Sequence, residues 1–453
     1  MNPDLTCLDT PSSRRPPRGS NQNGMRQFNE RVVLQAIRLH GELPKAELAR
    51  VTGLSTQTIS MIVNALLDDG LLIKREPLRG RIGQPSVPIA LDPDGAWAIG
   101  VKVGRQHADV LLVDFLGQVH HREGLPYAWP DPEHLPAALL AMIRRCREAL
   151  TARLRPLDRP ERLCGIGVAT PLSIGGWTGL FDMPEAQARA WETLDLAGHL
   201  AAATGLPVHV AKDTVAASLA ELVGGEGRRL SSFLYLFVDT FSGGGLVLDS
   251  RLHPGAQGNA GAIGSMPLAV PGTGTPGTQL LGAASLLNLQ RLYETARLDP
   301  SATLDGRALE LPWHAHTQAW LGNASRALAM AIVGAICVLD IDDIVIDGVI
   351  DRRLLGRLIA QTGDALDLHC WEGVRRPRLH AGSIGSDARA LGGALLPLHA
   401  DFAPHPEVFL KADPRRQDRA DAGPQAEVEP PRSLPTTSSS TTAPTTDAMK
   451  PAG

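Results

Sequence analysis

The sequence predicts an α/β protein with a winged helix-turn-helix at its N-terminal end, followed by two similar lobes facing each other across a cleft. Three observations lead there. Residues 25–92 divide into three short helical patterns and a strand pair; beyond Asp94, strand-like and helix-like apolar runs alternate through about residue 403; and one strand–turn–strand plan occurs twice. A length of 453 residues allows two or three domains with sizeable cores.

Taken in order, residues 1–24 (with "PSSRRPPRGSNQNG") and 404–453 (ending "SLPTTSSSTTAPTTDAMKPAG") are rich in Pro, Ser, Thr and Gly and poor in aromatics, so both are expected to be disordered tails. The first helix places Val33 and Ile37 on one face. The second is expected to begin at Pro44, a preferred first helical residue, and to end at Gly53. Ser55 then caps a third helix, in which Ile59, Ile62, Val63 and Leu66 recur at spacings of 3 and 4. After Gly70, "LLIKRE" and "SVPIALD" read as strands joined by a basic, glycine-containing loop. Farther on, "AWAIGVKVG", "HADVLLVDFLGQVHH", "LCGIGVATP" and "LPVHVAKD" read as strands, with helices such as "LPAALLAMIRRCREALTARL" between them. The duplicated plan is "GVKVGRQHADVLLVDFLGQVHH" against "YLFVDTFSGGGLVLDSRLHPG".

Composition excludes several classes. Five cysteines (Cys7, Cys146, Cys164, Cys337, Cys370) are odd in number and far apart, against a disulfide framework or a cysteine-built zinc site, and a reducing cytosol is expected. The polar, proline-rich N-terminus lacks the apolar core of a secretory signal. The run "ALAMAIVGAICVLDIDDIVIDGV" carries four aspartates within 340–347 and reads as a buried helix entering a buried strand, so no membrane contact is expected. The net charge of −4 is unremarkable, but residues 26–81 hold nine Lys/Arg against six Asp/Glu.

If the apolar stripe of the third helix faces the core, the opposite face offers Gln57, Ser60, Met61 and Asn64, with Ser55 and Thr56 at the first turn. Gln and Asn suit bidentate readout of adenine, Ser and Thr bond to bases or phosphates, and a recognition helix presents its N-terminal residues to base edges. Arg79 and Arg81 sit in the following glycine- and proline-containing loop, a composition suited to laying guanidinium groups along a narrow minor groove. Double-stranded DNA is therefore the expected partner; a small helical docking module with an ordinary polar face is the competing reading.

These segments resemble the ROK family of transcriptional regulators and sugar kinases. "ELARVTGLSTQTISMIVNALLDDGLL" and "GRIGQPSVPIALD" resemble its DNA-binding part. "GIGVATP", "AKDTVAASLAE", "SGGGLVLDSRLHPGAQGNAGAIGSMPL" and "LHAGSIGSDARALGGALLPL" resemble its sugar-kinase-like part, in matching order. The resemblance covers about residues 27–400 and implies a two-lobed actin-like/sugar-kinase ATPase fold behind the winged helix, and a homodimer or dimer of dimers.

Departures from the family pattern bear on activity. Lys102 stands in "GVKVGRQ" where active members have an aspartate, with Arg105 and Gln106 in place of glycine and threonine; a lysine cannot supply the oxygen ligand magnesium requires. The family's sugar-gripping G-E-x-G-H reads "GAIGS", with Ala262 and Ser265 replacing the glutamate and histidine, and Lys212 replaces an asparagine beside Asp213, the position of the kinases' catalytic base. The zinc-binding segment of the family matches "VPGTGTPGTQLLGAAS", which has no cysteine, so neither zinc nor any other cofactor is expected there.

The expected function is a DNA-binding regulator, chiefly a repressor of carbohydrate-related genes, recognising an inverted-repeat operator and responding to a small-molecule effector through a non-catalytic body. Alternatives are a sugar kinase with an added DNA-binding domain, or a ligand-free protein-binding scaffold. Asp213 is expected to cap the helix that follows it, and Lys212, Asp213, Asn259 and Ser265 are the expected effector contacts. An ammonium introduced beside Asp213, with the acidic residue lost at 262, favours an anionic, sugar-derived effector; pairing of Lys212 with Asp213 is the competing reading.

Overall fold

In a computed structural model of the chain, residues 22–77, 87–174, 183–268 and 279–404 are described. Most of both expected tails lies outside these residues, as do the wing-loop arginines Arg79 and Arg81 and most of the segment matched to the family's zinc site.

The N-terminal unit comprises α1 (Gln22–His40), β1 (Glu42–Pro44), α2 (Lys45–Thr52), α3 (Thr56–Asp68), β2 (Leu72–Lys74) and β3 (Pro88–Leu91). Helix α1 starts inside the stretch expected to be tail. Val33, Ile37, Leu48, Ile59, Ile62, Val63 and Leu66 are buried together, which makes the helical periodicity a real core face. Ser55 Oγ accepts from the Thr58 amide at 3.1 Å, the expected cap of α3. Pro44 corrects the expectation for α2. It precedes that helix instead of opening it, because it ends β1 and lies opposite Pro88 in an antiparallel sheet of order β1-β3-β2. Three residues are too few for β1 to announce itself by alternation.

The body contains β4 (Trp97–Val103), β5 (His107–Asp114), β6 (Val119–Pro126), α4 (Leu135–Leu154), β7 (Leu163–Thr170), α5 (Glu185–Thr193), α6 (Leu196–Thr204), β8 (Val208–Lys212) and α7 (Asp213–Gly224). There follow β9 (Phe233–Val238), β10 (Gly243–Leu248), β11 (Arg251–His253), α8 (Leu280–Ala284), α9 (Leu286–Thr295), α10 (His314–Leu339), β12 (Asp343–Gly348), α11 (Arg352–Leu366), β13 (Arg378–Ala381) and α12 (Ala388–Phe402). The two sheets, β6-β5-β4-β7-β8 and β11-β10-β9-β12-β13, have one topology: three antiparallel strands, then two added in parallel. The sequence repeat therefore marks two lobes of like fold.

Helix α10 is long and apolar enough to cross a membrane, yet Trp320, Leu321, Leu328 and Ile332 are buried with Ile344 and Ile346 of β12 in the core of the second lobe. This is the buried helix and strand that the sequence predicts. Between the lobes lie α7, against β10, and α12, against β4 and β7. They pack on each other so closely that a Cβ built on Gly392 would fall 1.8 Å from the Ala216 carbonyl oxygen.

The N-terminal unit is seated on this body through α1. Arg31 donates to the carbonyl of Ala403 at 3.2 Å, and Arg38 lies over the Phe115 ring, 5.0 Å from its centroid. Burial lowers the Arg38 pKa to about 10, against the pull of Asp114. Two of the nine basic residues of the 26–81 stretch thus serve the joint with the body.

Candidate functional site

Each half of the chain presents one surface with chemistry. On α3, the core stripe turns Thr56, Gln57, Met61 and Asn64 outward, all exposed, with Ser60 half-buried beside them. The Ser55 hydroxyl is engaged by its cap and by the Thr58 hydroxyl at 2.8 Å. Asn64 Oδ1 accepts from Lys45 Nζ at 2.9 Å, which places an ammonium on the same face that sequence reasoning passed over. The contact crosses from α2 to α3, so no local spacing could have signalled it.

The second surface is a cleft of about 540 Å³ between the lobes. It opens where β8 meets α7 and where the β4–β5 and β9–β10 turns face each other. Lys212, Asp213, Asn259 and Ser265 all line it, together with Lys102, Arg105, Asp239 and Arg389. Gly261 holds the Asn259 loop against β10: its φ is +72°, and a Cβ there would meet the Gly245 carbonyl carbon at 2.6 Å.

The Lys212–Asp213 pair does not close on itself. Lys212 Nζ donates to Asn259 Oδ1 at 2.7 Å, and burial lowers the ammonium's pKa while nearby Asp213 opposes that. Asp213 is the first residue of α7, not the residue before it, and its Oδ1 accepts from the Thr214 amide at 2.8 Å. Its other oxygen faces Arg389 at 3.6 Å.

Arg389, on α12, also ion-pairs with Asp239 at the end of β9. Burial works against its charge, but Asp239 and Asp213 outweigh that and raise its pKa. Arg105 stacks on Phe241 from the opposite lobe, 3.5 Å from the ring centroid; burial lowers its pKa to about 9 against the attraction of Asp239 and Asp213. Lys102 is neutralised by Asp109 at 2.9 Å. Sequence reasoning gave Arg389 and Asp239 no role. Their partners lie far along the chain, and an arginine in "SDARALGG" reads as an ordinary surface residue.

Among the described residues, no group of three His, Cys, Asp or Glu side chains is placed to hold a metal ion.

Comparison with known proteins bears on both surfaces. The ROK family profile matches residues 98–399, and a MarR family profile matches residues 27–82. The chain is 25% identical over 248 residues to the xylose repressor of Caldicellulosiruptor bescii and 22% identical over 249 residues to that of Bacillus subtilis. These matches take in 54% and 55% of this chain and span 59% and 62% of those repressors' length. A transcriptional regulator of Mycobacterium tuberculosis is 28% identical over 332 residues, 70% of this chain and 73% of that protein. Among solved structures, a ROK family transcriptional regulator, a homologue of the Escherichia coli MLC protein, superposes with a TM-score of 0.61 at 21% identity over 85% of this chain and 99% of its own. A ROK glucokinase from Streptomyces griseus does so at 0.51 and 15% identity over 66% and 99% of the two chains; at such identities the likeness is one of fold. With its MarR-like winged helix ahead of two sugar-kinase-like lobes, the chain belongs to the ROK family.

Proposed function

We propose that this protein is a cytosolic, DNA-binding transcriptional repressor of carbohydrate-related genes, acting as a homodimer on an inverted repeat and answering to a small molecule held in the interlobe cleft. The observation that carries the reading is α3, a capped helix that buries one face and exposes Thr56, Gln57 and Asn64 on the other. Footprinting on DNA fragments that co-purify with the protein tests it. Two half-sites one or more helical turns apart are expected, and Gln57→Ala should relax discrimination at one base position by about 1–3 kcal/mol. A single half-site bound by a monomer would contradict the dimer, and unchanged base preference in Gln57→Ala would remove α3 from the readout.

The cleft is read as non-catalytic because an ammonium, that of Lys102, stands where phosphoryl transfer needs an oxygen ligand for magnesium. Asp213 accepts from the Thr214 amide and lies beside Arg389, whose positive charge favours its ionised form and makes it a weaker base. ATP-dependent turnover of a hexose would overturn this reading in favour of a kinase.

Helix α7 supplies a route from cleft to DNA. It starts at Asp213 and runs about 18 Å for its 12 residues. Just beyond its end, Arg228 donates to the carbonyls of Arg38 and Leu39, at 3.0 and 2.9 Å, in the last turn of α1. Helix α7 and the short turn that follows it thus reach from the ligand cleft to the DNA-binding unit. Arg228→Ala should leave operator affinity nearly unchanged, since the freed carbonyls are exposed to water, yet blunt the release of DNA by effector. An unaltered effector response in a titration of operator binding would exclude this route.

A further inference from the structure

The cleft's charge pattern names the class of molecule it accepts. Lys212 is largely sunk in the wall, and among the described residues its ammonium has a neutral amide oxygen as its direct partner and no carboxylate within ion-pair distance. Other lining cations do have carboxylates beside them. Arg389 is shared between Asp213 and Asp239, Arg105 is drawn to the same two carboxylates, and Lys102 is matched by Asp109. Lys212 thus meets a neutral partner where Arg389 and Lys102 meet carboxylates. The N-terminus of α7 adds partial charge of the same sign at that spot. A poorly hydrated ammonium whose direct partner is a neutral amide is unfavourable, and a ligand carboxylate would supply the ion pair it lacks.

We propose that the effector is a sugar acid, a polyhydroxylated molecule carrying a single carboxylate, whose carboxylate is received by Lys212 while Gln106, Thr240, Ser265 and Gln290 along the same cleft face its hydroxyls. A phosphate monoester fits less well, because it brings nearly two negative charges in front of Asp213 and Asp239. A neutral sugar leaves the Lys212 ammonium unmatched. This inference rests on the cleft being the effector site of the regulator.

The test uses the full-length protein and two series of probes differing only at C6: D-glucose, D-glucuronate and D-glucose 6-phosphate, and the corresponding galactose set. Binding is read by equilibrium dialysis and by the rise in melting temperature, and operator release is followed in parallel. In at least one series the uronate should bind most tightly. Lys212→Gln should weaken it about 10- to 100-fold, the loss expected for a hydrogen bond to a charged group, and narrow its lead over the neutral sugar. Asn259→Asp gives an independent reading: a carboxylate at the existing 2.7 Å contact would neutralise Lys212 from within and abolish the preference for the acid. Tightest binding by a neutral sugar or a phosphate, uronate binding indifferent to both substitutions, or no binding by any probe would overturn the assignment. Release of operator by a neutral sugar would do so while leaving the regulator reading intact. Failure of the protein to bind operator at all would instead defeat the regulator reading, and dialysis would still report on the acid.

Discussion

Arg389→Ala should lower the free energy of unfolding by about 3 kcal/mol, measured as a fall in the urea midpoint. The side chain is 11% exposed and bridges Asp213 and Asp239 from the two sides of the cleft. Removing it takes from Asp213 and Asp239 the ion-pair partner they share, and breaking a buried pair in this way costs about 3–5 kcal/mol. The lower end applies because Asp213 and Asp239, at 16% and 17% exposure, border a cleft that water can enter. Arg389→Lys should recover part of the loss, since an ammonium restores charge without the fork of two donors. A change under about 1 kcal/mol for the alanine variant would mean that Arg389 contributes no more than an exposed surface pair.

Gly392→Ala should destabilise by a similar amount, about 3 kcal/mol, the upper part of the range for overpacked cores. The added methyl would lie 1.8 Å from the Ala216 carbonyl oxygen and 2.3 Å from its carbon. Both are backbone atoms, so no rotamer change relieves the clash and α7 and α12 must part. Those helices join the lobes, so operator release by effector should suffer with stability. Gly322→Ala in α10 is the matched control: nothing lies within 4 Å of its added Cβ, and alanine's higher helix propensity should stabilise by up to about 1 kcal/mol. Equal effects of the two substitutions would show that propensity, not the α7–α12 contact, dominates at Gly392.

Much of this architecture was legible in the residues because it depends on local spacing. The stripe of Ile59, Ile62, Val63 and Leu66 and the cap at Ser55 lie within one helical stretch, and both appear in α3 as expected. The repeat of strand and turn needed only two segments to be compared, and it became two sheets of one topology. Pro44 was misplaced for the same reason in reverse: its local preference is for a helix start, but pairing with Pro88 assigned it to a strand.

By itself, then, the sequence determined the two-part plan and the outward face of α3, since hydrophobic period is a property of neighbours along the chain, while the family resemblance implied Lys212, Asp213, Asn259 and Ser265 as effector contacts. Only the tertiary structure decided what those polar groups face. Lys212 met Asn259 across 47 positions instead of its neighbour Asp213, and Arg228 met α1 across 190. Arg389 reached Asp213 from the far end of the chain. Charge and hydrogen-bonding type say what a side chain can bind, but which partner lies within about 3 Å follows from helices and sheets packing at long range, where hydrophobic burial sets positions and polar contacts adjust to them.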